Sequence, residues 1–240
     1  VNNVIEMLDQ GDTIPFIARY RKEKTNSMTD ETLRTFDEKY HYYLNFYDRL
    51  DTIIKSITEQ GLYNEEIEKS LYNCKTLSEL EDVYRPFKPK KKTRASIAKA
   101  KGLQPLADFI LAQKDFSSLE QYASTFISEE KKVASSEEAI QGAKDIIAEV
   151  ISDEPSYRKF IRHNTFNKGM IASTKINDET DKIVFESYYS YSEKINKIPA
   201  HRILALNRGE NKKILKVSID DPVEENLAFI EKKIIKNAQS

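Results

Sequence analysis

Apolar residues recur at intervals of three and four positions along most of the chain, and the longest such run lies between residues 30 and 60. This spacing predicts one long α-helix, capped by Thr29 and about 45 Å in length at ~1.5 Å per residue. We expect its apolar seam to pack against other helices of the same chain, and a homodimeric coiled coil is the alternative. The seam consists of Leu33, Phe36, Tyr40, Tyr43, Tyr47, Leu50, Ile54 and Ile57.

Shorter runs with the same period predict further helices on both sides of the long one. Two of them fall near residues 94–113 and are joined at Gly102–Gln104 by a turn of helix-turn-helix length. The second helix of this pair is mostly apolar, so it offers few donors to base edges in a major groove. Capping-box spacing marks two other helix starts, at Thr76 with Glu79 and at Ser135 with Glu138.

Two segments, near residues 170–176 and 213–219, alternate apolar and polar side chains in the manner of short strands. The sequence therefore predicts a mainly α fold, a multi-helical array with one long helix and at most a few short strands. Residues 131–138 are charged and polar and form the predicted hinge between a first region, 1–130, and a second region, 131–240. One continuous domain is the alternative.

Positive charge is concentrated in residues 84–102, which read YRPFKPKKKTRASIAKAKG and are termed the basic stretch. The chain as a whole has a net charge of −1, so any nucleic-acid contact must be local. The candidate phosphate contacts are Arg85, Lys88, Lys90, Lys91, Lys92, Arg94, Lys99 and Lys101, with Tyr84 and Phe87 as candidate stacking surfaces.

The prolines and a threonine predict the local geometry of the basic stretch. Pro86 and Pro89 favour an extended backbone over Arg85–Lys90. Thr93 has the character of an N-cap for a short helix that Gly102 ends. The start of that helix, beside a run of lysines, suits a phosphate oxygen. A solvated basic loop is the alternative interpretation.

The rest of the composition favours a binding or structural role over catalysis. The three histidines lie far apart, outside any metal-ligand spacing, and the glycines form no phosphate-binding loop. We therefore expect no enzyme activity, no cofactor and no metal. The single cysteine, Cys74, and the lack of a long apolar run indicate a cytoplasmic protein without a membrane segment. The chain begins inside a helical pattern, so we expect it to be part of a longer protein.

Three segments together resemble the N-terminal helical region of the Tex family, bacterial transcription accessory proteins related to a eukaryotic elongation factor. They are IPFIARYRKE at 14–23, YRPFKPKKKTRA at 84–95 with GLQPLA at 102–107, and KIPAHRILALNRGE at 197–210. Small departures occur at Asn26 and Ser27, where the family often has glycines, and at Ala200, where it often has serine.

The resemblance implies a mostly α-helical region with a helix-turn-helix-like part. It also implies a longer protein with a YqgF-type domain, helix-hairpin-helix domains and a C-terminal OB-fold domain, none of which has a counterpart in this sequence. In the family the OB-fold domain is held chiefly responsible for nucleic-acid binding, so this region would support the rest, with the basic stretch as an auxiliary contact.

Two functional hypotheses follow. In the first, the chain is a non-enzymatic module that contacts the backbone of single-stranded RNA or DNA without sequence preference. In the second, it is an interaction scaffold whose basic stretch docks an acidic surface of the other Tex domains or of the transcription machinery.

Overall fold

The chain divides into two units, Val1–Phe87 and Lys88–Ser240. The computed structural model describes residues 1–88, 92–113, 118–176 and 183–236. Helices make up most of both units, which confirms the predicted mainly α fold. The predicted hinge at 131–138 falls inside the second unit, and the assignment of 1–130 and 131–240 as separate regions stays a prediction.

The first unit is helical, and side-chain caps start α3 and α5 as predicted. The backbone N–H of Thr32 donates to Thr29 Oγ1 at 3.2 Å, and that of Glu79 donates to Thr76 Oγ1 at 3.2 Å. Each bond satisfies an amide that the first helical turn leaves without a partner. The helices are α1 (Asn2–Asp9), α2 (Ile14–Tyr20), α3 (Asp30–Glu59), α4 (Glu65–Tyr72) and α5 (Leu77–Tyr84), with 3₁₀ helices at Lys22–Thr25 and Arg85–Phe87.

The long helix α3 packs with two different faces. Leu33 is buried in a cluster with α1 and α2, whereas Leu50 is buried in a cluster with α4 and α5. With 3.6 residues per turn, these two faces are roughly 100° apart around the helix axis. Tyr43 and Tyr47 are 52% and 58% exposed, while their neighbour Phe46 is buried. The predicted continuous seam is therefore wrong in its middle, because the helix changes partners there.

The turn before α3 has left-handed backbone at two consecutive residues. Asn26 has a φ of 51° and Ser27 a φ of 59°. Glycine adopts this region without steric cost, whereas a side chain crowds the backbone. This geometry therefore favours glycine at both positions, where the sequence has Asn26 and Ser27.

The second unit contains a helical array and a small sheet. The predicted short pair near 94–113 is present as its first two helices, and both pack against its longest helix. The helices are α6 (Arg94–Ala100), α7 (Gln104–Ala112), α8 (Leu119–Ser124), α9 (Ser136–Asp153), α10 (Pro155–Lys168), α11 (Ala200–Asn211) and α12 (Val223–Ile234), with a 3₁₀ helix at Ile183–Tyr188.

Helices α6 and α9 approach closely at Gly142. A Cβ atom built on Gly142 would lie 2.4 Å from Leu103 Cδ1 and 3.3 Å from Ala98 Cβ. Leu103 and Leu106 are buried in the same cluster as Ile146 of α9. The absent side chain at Gly142 therefore lets α6 and the residues after it lie directly on α9, which fixes the position of α6 within the second unit.

The sheet has three antiparallel strands in the order β2-β1-β3, formed by β1 (Met170–Lys175), β2 (Ser190–Lys194) and β3 (Leu215–Asp220). The strands predicted near 170–176 and 213–219 are confirmed as β1 and β3. The polar strand β2 was not predicted. Helix α11 covers the sheet, and Leu206 is buried with Ile214 and Leu215.

Gln113 joins the helical array to the end of α12. Its Nε2 donates to the carbonyl of Ile234 at 2.8 Å, and its Oε1 accepts from the amide of Lys236 at 2.8 Å. Nearby, Phe160 of α10 stacks on Phe229 of α12 with ring centroids 3.7 Å apart. The stacked rings place α10 and α12 side by side.

Candidate nucleic-acid interface

The basic stretch begins in a 3₁₀ helix. Arg85 has φ −52° and ψ −42°, and the helix extends to Phe87. The prediction of an extended backbone is therefore wrong for Arg85–Phe87. The φ that proline imposes also fits the first turn of a helix, where its missing N–H leaves no bond unmade. Pro89, Lys90 and Lys91 lie outside the described residues.

Tyr84 is not available to stack on a base. Its side chain is 7% exposed, its hydroxyl lies 2.9 Å from Ser56 Oγ, and the Arg49 guanidinium covers its ring at 5.5 Å. The prediction that Tyr84 is a stacking surface is therefore wrong, because its ring is buried. Phe87 is half-buried against the same apolar cluster of the first unit.

Lys92 and Arg94 are the predicted contacts that the structure presents most openly. Both side chains are exposed, and within the described ranges neither forms an ion pair with a carboxylate. Arg85 and Lys88 are also exposed, and each has an interaction with a neighbouring group. The cations at the entry to α6 therefore remain the best candidates for phosphate contact.

Thr93 caps α6 as predicted, but a carboxylate already lies beside it. Thr93 Oγ1 accepts from the Ser96 amide at 3.0 Å, and Ser96 Oγ accepts from the Thr93 amide at 2.8 Å. The Thr93 hydroxyl donates to Glu149 Oε1 at 3.0 Å, and Lys99 Nζ donates to Glu149 Oε2 at 3.1 Å. The predicted phosphate position at this helix start is therefore faced by Glu149 of α9, which also offsets the charge of Lys99.

Lys101 is held in a second ion pair. Its Nζ donates to Glu138 Oε1 at 2.6 Å and to the carbonyl of Lys132 at 2.7 Å. The Lys101 ammonium, together with the amide of Ala134, holds the pKa of Glu138 below its usual value. Lys101 therefore fastens the end of α6 to the turn that precedes α9.

That turn brings further lysines to α6. Lys131 and Lys132 line a groove of about 420 Å³ together with Lys92 and Lys101. The turn is closed by a bridge in which Ser128 and Val133 exchange amide–carbonyl hydrogen bonds of 3.1 and 2.9 Å. The remaining lining residues are Ser96, Ile97, Ala100 and Glu130.

The predicted hinge at 131–138 gave no sign of this convergence. A lysine pair is common on protein surfaces, and its role depends on which helix the turn faces. Only the fold of the second unit shows that the pair faces the basic stretch.

The family-like segment 197–210 forms α11 and its approach. Arg202 Nη1 donates to Glu193 Oε2 of β2 at 2.8 Å, and the Tyr191 hydroxyl bonds the same carboxylate. Both hydrogen bonds lower the pKa of Glu193 from its usual value, and the bond from Tyr191 has the larger effect. A Cβ on Gly209 would lie 2.5 Å from Leu215 Cδ1, so this position needs glycine for close packing. The segment thus joins α11 to the sheet.

A second groove, about 770 Å³ in volume, is mainly apolar and lies between α9, α10, α12 and the sheet. Phe166, Ile219 and Leu227 line it, and each exposes half or more of its side chain. An apolar surface of this kind typically marks an interaction site. The full lining adds Ala148, Ile151, Ser152, Tyr157, Arg158, Ile161, Arg162, Thr165, Ile195 and Ile230.

The described ranges contain no group of three or more His, Cys, Asp or Glu side chains arranged to hold a metal ion. None of their helices combines the length and the apolar character needed to cross a lipid bilayer.

Comparison with known families decides the relationship. Residues 115–240 match the family described as Tex central region-like, and residues 1–58 match the Tex-like protein N-terminal domain. The chain belongs to the Tex family. The predicted resemblance is thereby confirmed, and the basic stretch lies between the two matched ranges.

Relatives in the Tex family are much longer than this chain. The uncharacterized protein YdcI of Bacillus subtilis is 48% identical over 239 residues, which cover 99% of this chain and 33% of YdcI. The transcriptional accessory protein Tex of Neisseria gonorrhoeae is 34% identical over 91% of this chain and 29% of its own length. The human S1 RNA-binding domain-containing protein 1 is 34% identical over 93% of this chain and 23% of its own length. The chain thus spans about a third or less of these relatives.

Proposed function

We propose that this chain is a non-enzymatic region of a Tex-family transcription accessory protein that binds the backbone of single-stranded RNA or DNA. The observation that carries the proposal is the exposure of Lys92 and Arg94, without carboxylate partners among the described residues, beside an ordered and capped helix. The names of two relatives, a transcriptional accessory protein and an S1 RNA-binding domain-containing protein, support transcription and RNA as the context.

The expected binding is electrostatic and tolerant of sequence. Cations that contact phosphates position a strand without identifying its bases. If about four phosphates of a single strand are neutralised, log K should fall with log salt at a slope near −3.

A salt titration with fluorescent single-stranded RNA tests this proposal. The double variant Lys92→Ala/Arg94→Ala should bind more weakly and with a slope reduced by about 1.4, since each single-strand contact contributes about 0.7. The matched control, Lys232→Ala/Lys233→Ala, removes two charges from α12 and should bind like the wild type. Absence of wild-type binding at low salt, or equal losses in both double variants, would overturn the proposal.

The non-enzymatic part of the proposal has its own test. Purified chain incubated with RNA and magnesium should leave the RNA intact. Degradation that co-elutes with the monomeric chain in size-exclusion chromatography would show a nuclease and contradict it.

The apolar groove favours a second candidate function, an intramolecular scaffold. Its exposed Phe166 and Leu227 suit the apolar face of a helix, and the relatives carry about two thirds of their length outside the matched region. The occupant we propose is a helix from that remaining part of the Tex protein.

Co-purification tests the scaffold. The chain should retain the separately expressed remainder of its Tex protein, and Phe166→Glu/Leu227→Glu should abolish retention. The control is Leu204→Glu, a substitution at an exposed leucine of α11 outside the groove. This variant should retain the remainder of the Tex protein as the wild type does. Retention that survives the double substitution would contradict this occupant.

A further inference from the structure

The groove beside α6 has two walls that come from different parts of the sequence. One wall is the start and exposed face of α6, with Lys92, and the other is the turn that carries Lys131 and Lys132. The Lys101 ammonium joins the two walls through the carbonyl of Lys132 at 2.7 Å. The groove is therefore a fixed feature of the second unit and not a chance approach of two loops.

The groove carries a net positive charge. Among the described residues, four of its eight lining residues are lysines and one is acidic, Glu130, while Glu138 offsets the charge of Lys101. Across the described ranges, no carboxylate pairs with Lys92, Lys131 or Lys132. Like charges that share a groove repel each other, and a bound polyanion relieves that repulsion.

The backbone of the turn holds the lysine pair in place. The Lys132 amide donates to the carbonyl of Glu129 at 3.1 Å, and the Lys131 amide donates to Ser128 Oγ at 3.3 Å. Lys132 has a φ of 55°, a left-handed conformation that is uncommon for a residue with a side chain. These backbone hydrogen bonds keep both lysines on the side of the turn that faces α6.

The floor of the groove is apolar. Ile97 is 45% exposed, and Ala100 beside it on α6 is also exposed. An apolar floor between cationic walls suits the flat face of a base or the carbon atoms of a ribose. Bases are accessible in this way in single strands, whereas a duplex stacks them inside.

We propose that Lys92, Lys131 and Lys132 clamp the phosphates of a single-stranded nucleic acid while Ile97 and Ala100 support one of its bases. This inference rests on the proposed nucleic-acid function and adds to it a second cationic wall and an apolar floor that contacts a base. It assigns to the turn at 129–132 a binding role in place of the predicted hinge.

Anisotropy titrations of the full chain with labelled oligo(U) test the second wall. Lys131→Gln/Lys132→Gln should reduce the salt slope by about 1.4 and weaken binding about 25-fold at 0.1 M salt, if each contact contributes nothing at 1 M. The control Lys232→Gln/Lys233→Gln should leave both quantities unchanged. Thermal unfolding of the two double variants should coincide with that of the wild type, because all four side chains are exposed.

Two other ligands test the apolar floor. An abasic oligonucleotide of equal length has the same phosphates and should bind several-fold more weakly than oligo(U), and duplex RNA should also bind more weakly. In Ile97→Ser the advantage of oligo(U) over the abasic strand should shrink. Equal binding of all three ligands by the wild type would contradict the single-strand preference.

The results for the wild type and the two double variants distinguish failure of the proposed clamp from failure of the proposed function. If wild-type chain binds no nucleic acid at low salt, both are overturned. If Lys92→Ala/Arg94→Ala weakens binding but Lys131→Gln/Lys132→Gln does not, the proposed function stands and the second wall is refuted.

Discussion

Replacing Glu149 by glutamine should strengthen nucleic-acid binding. Glu149 offsets the charge of Lys99 through a 3.1 Å ion pair and accepts from the Thr93 hydroxyl at 3.0 Å. In Glu149→Gln the amide oxygen still accepts from Thr93, so the cap of α6 is retained. The Lys99 ammonium loses its anionic partner and becomes available to a phosphate.

The expected gain in affinity is that of one additional contact between a cation and a phosphate. One further contact to a single strand makes the salt slope steeper by about 0.7, which corresponds to about five-fold tighter binding at 0.1 M salt if the contact contributes nothing at 1 M. The cost in stability should be about 1 kcal/mol, the upper end of the range for exposed ion pairs, because the Lys99 side chain is 42% exposed whereas that of Glu149 is only 15% exposed.

The assay is a salt series of anisotropy titrations with single-stranded RNA. Glu231→Gln on α12 is the control, because it makes the same change in net charge at an exposed site on another helix. Glu149→Gln should differ from this control in slope as well as in affinity. If wild-type protein binds RNA and the two variants give the same slope, Lys99 does not reach the nucleic acid and the reasoning fails.

Three further predictions concern the fold. Gly142→Ala should lower the melting temperature by roughly 4 °C. The overlap of the alanine Cβ with Leu103 costs about 1–3 kcal/mol, of which the gain in helix propensity offsets about 1 kcal/mol. A higher melting temperature would mean that α6 and α9 separate easily. Ser27→Gly should stabilise the first unit by about 0.5–1 kcal/mol, measured by urea unfolding, because it relieves a φ of 59°; a lower midpoint would contradict this. Since Lys101 lowers the pKa of Glu138 in the folded protein, that pair stabilises the fold above the usual pKa of about 4.5 and ceases to do so as the pH falls through the lowered value. Glu138→Gln should therefore lose less stability than the wild type between pH 6 and pH 3 in thermal melts; equal losses would refute the assignment.

The helix starts could be predicted because their causes are local. Thr29, Thr76 and Thr93 each accept a hydrogen bond from an amide three residues ahead, and that spacing is visible in the sequence. The seam of α3 could not be predicted in full, since the period of its apolar residues does not reveal that Leu33 and Leu50 face different partners. Residues between two such faces have apolar spacing without burial.

The candidate interface was only partly predictable for a similar reason. The concentration of lysine and arginine in the basic stretch is a property of the sequence, but the partners of Lys99 and Lys101 lie 50 and 37 residues further along the chain. The polar strand β2 was missed because its side chains, SYSEK, carry little apolar periodicity. For the two lysines, the deciding contacts are made by segments distant in sequence.

The bonds from Gln113 to Ile234 and Lys236 have a consequence for how the second unit is made during translation. They join positions more than 120 residues apart, so the closing contact of this unit forms only after nearly all of it has left the ribosome. Long-range closure of this kind slows folding, and Phe160 of α10 has no stacking partner until Phe229 of α12 has been synthesised. Chaperone dependence during synthesis should therefore be greater for the second unit than for the first, whose apolar clusters are built from residues close together in sequence.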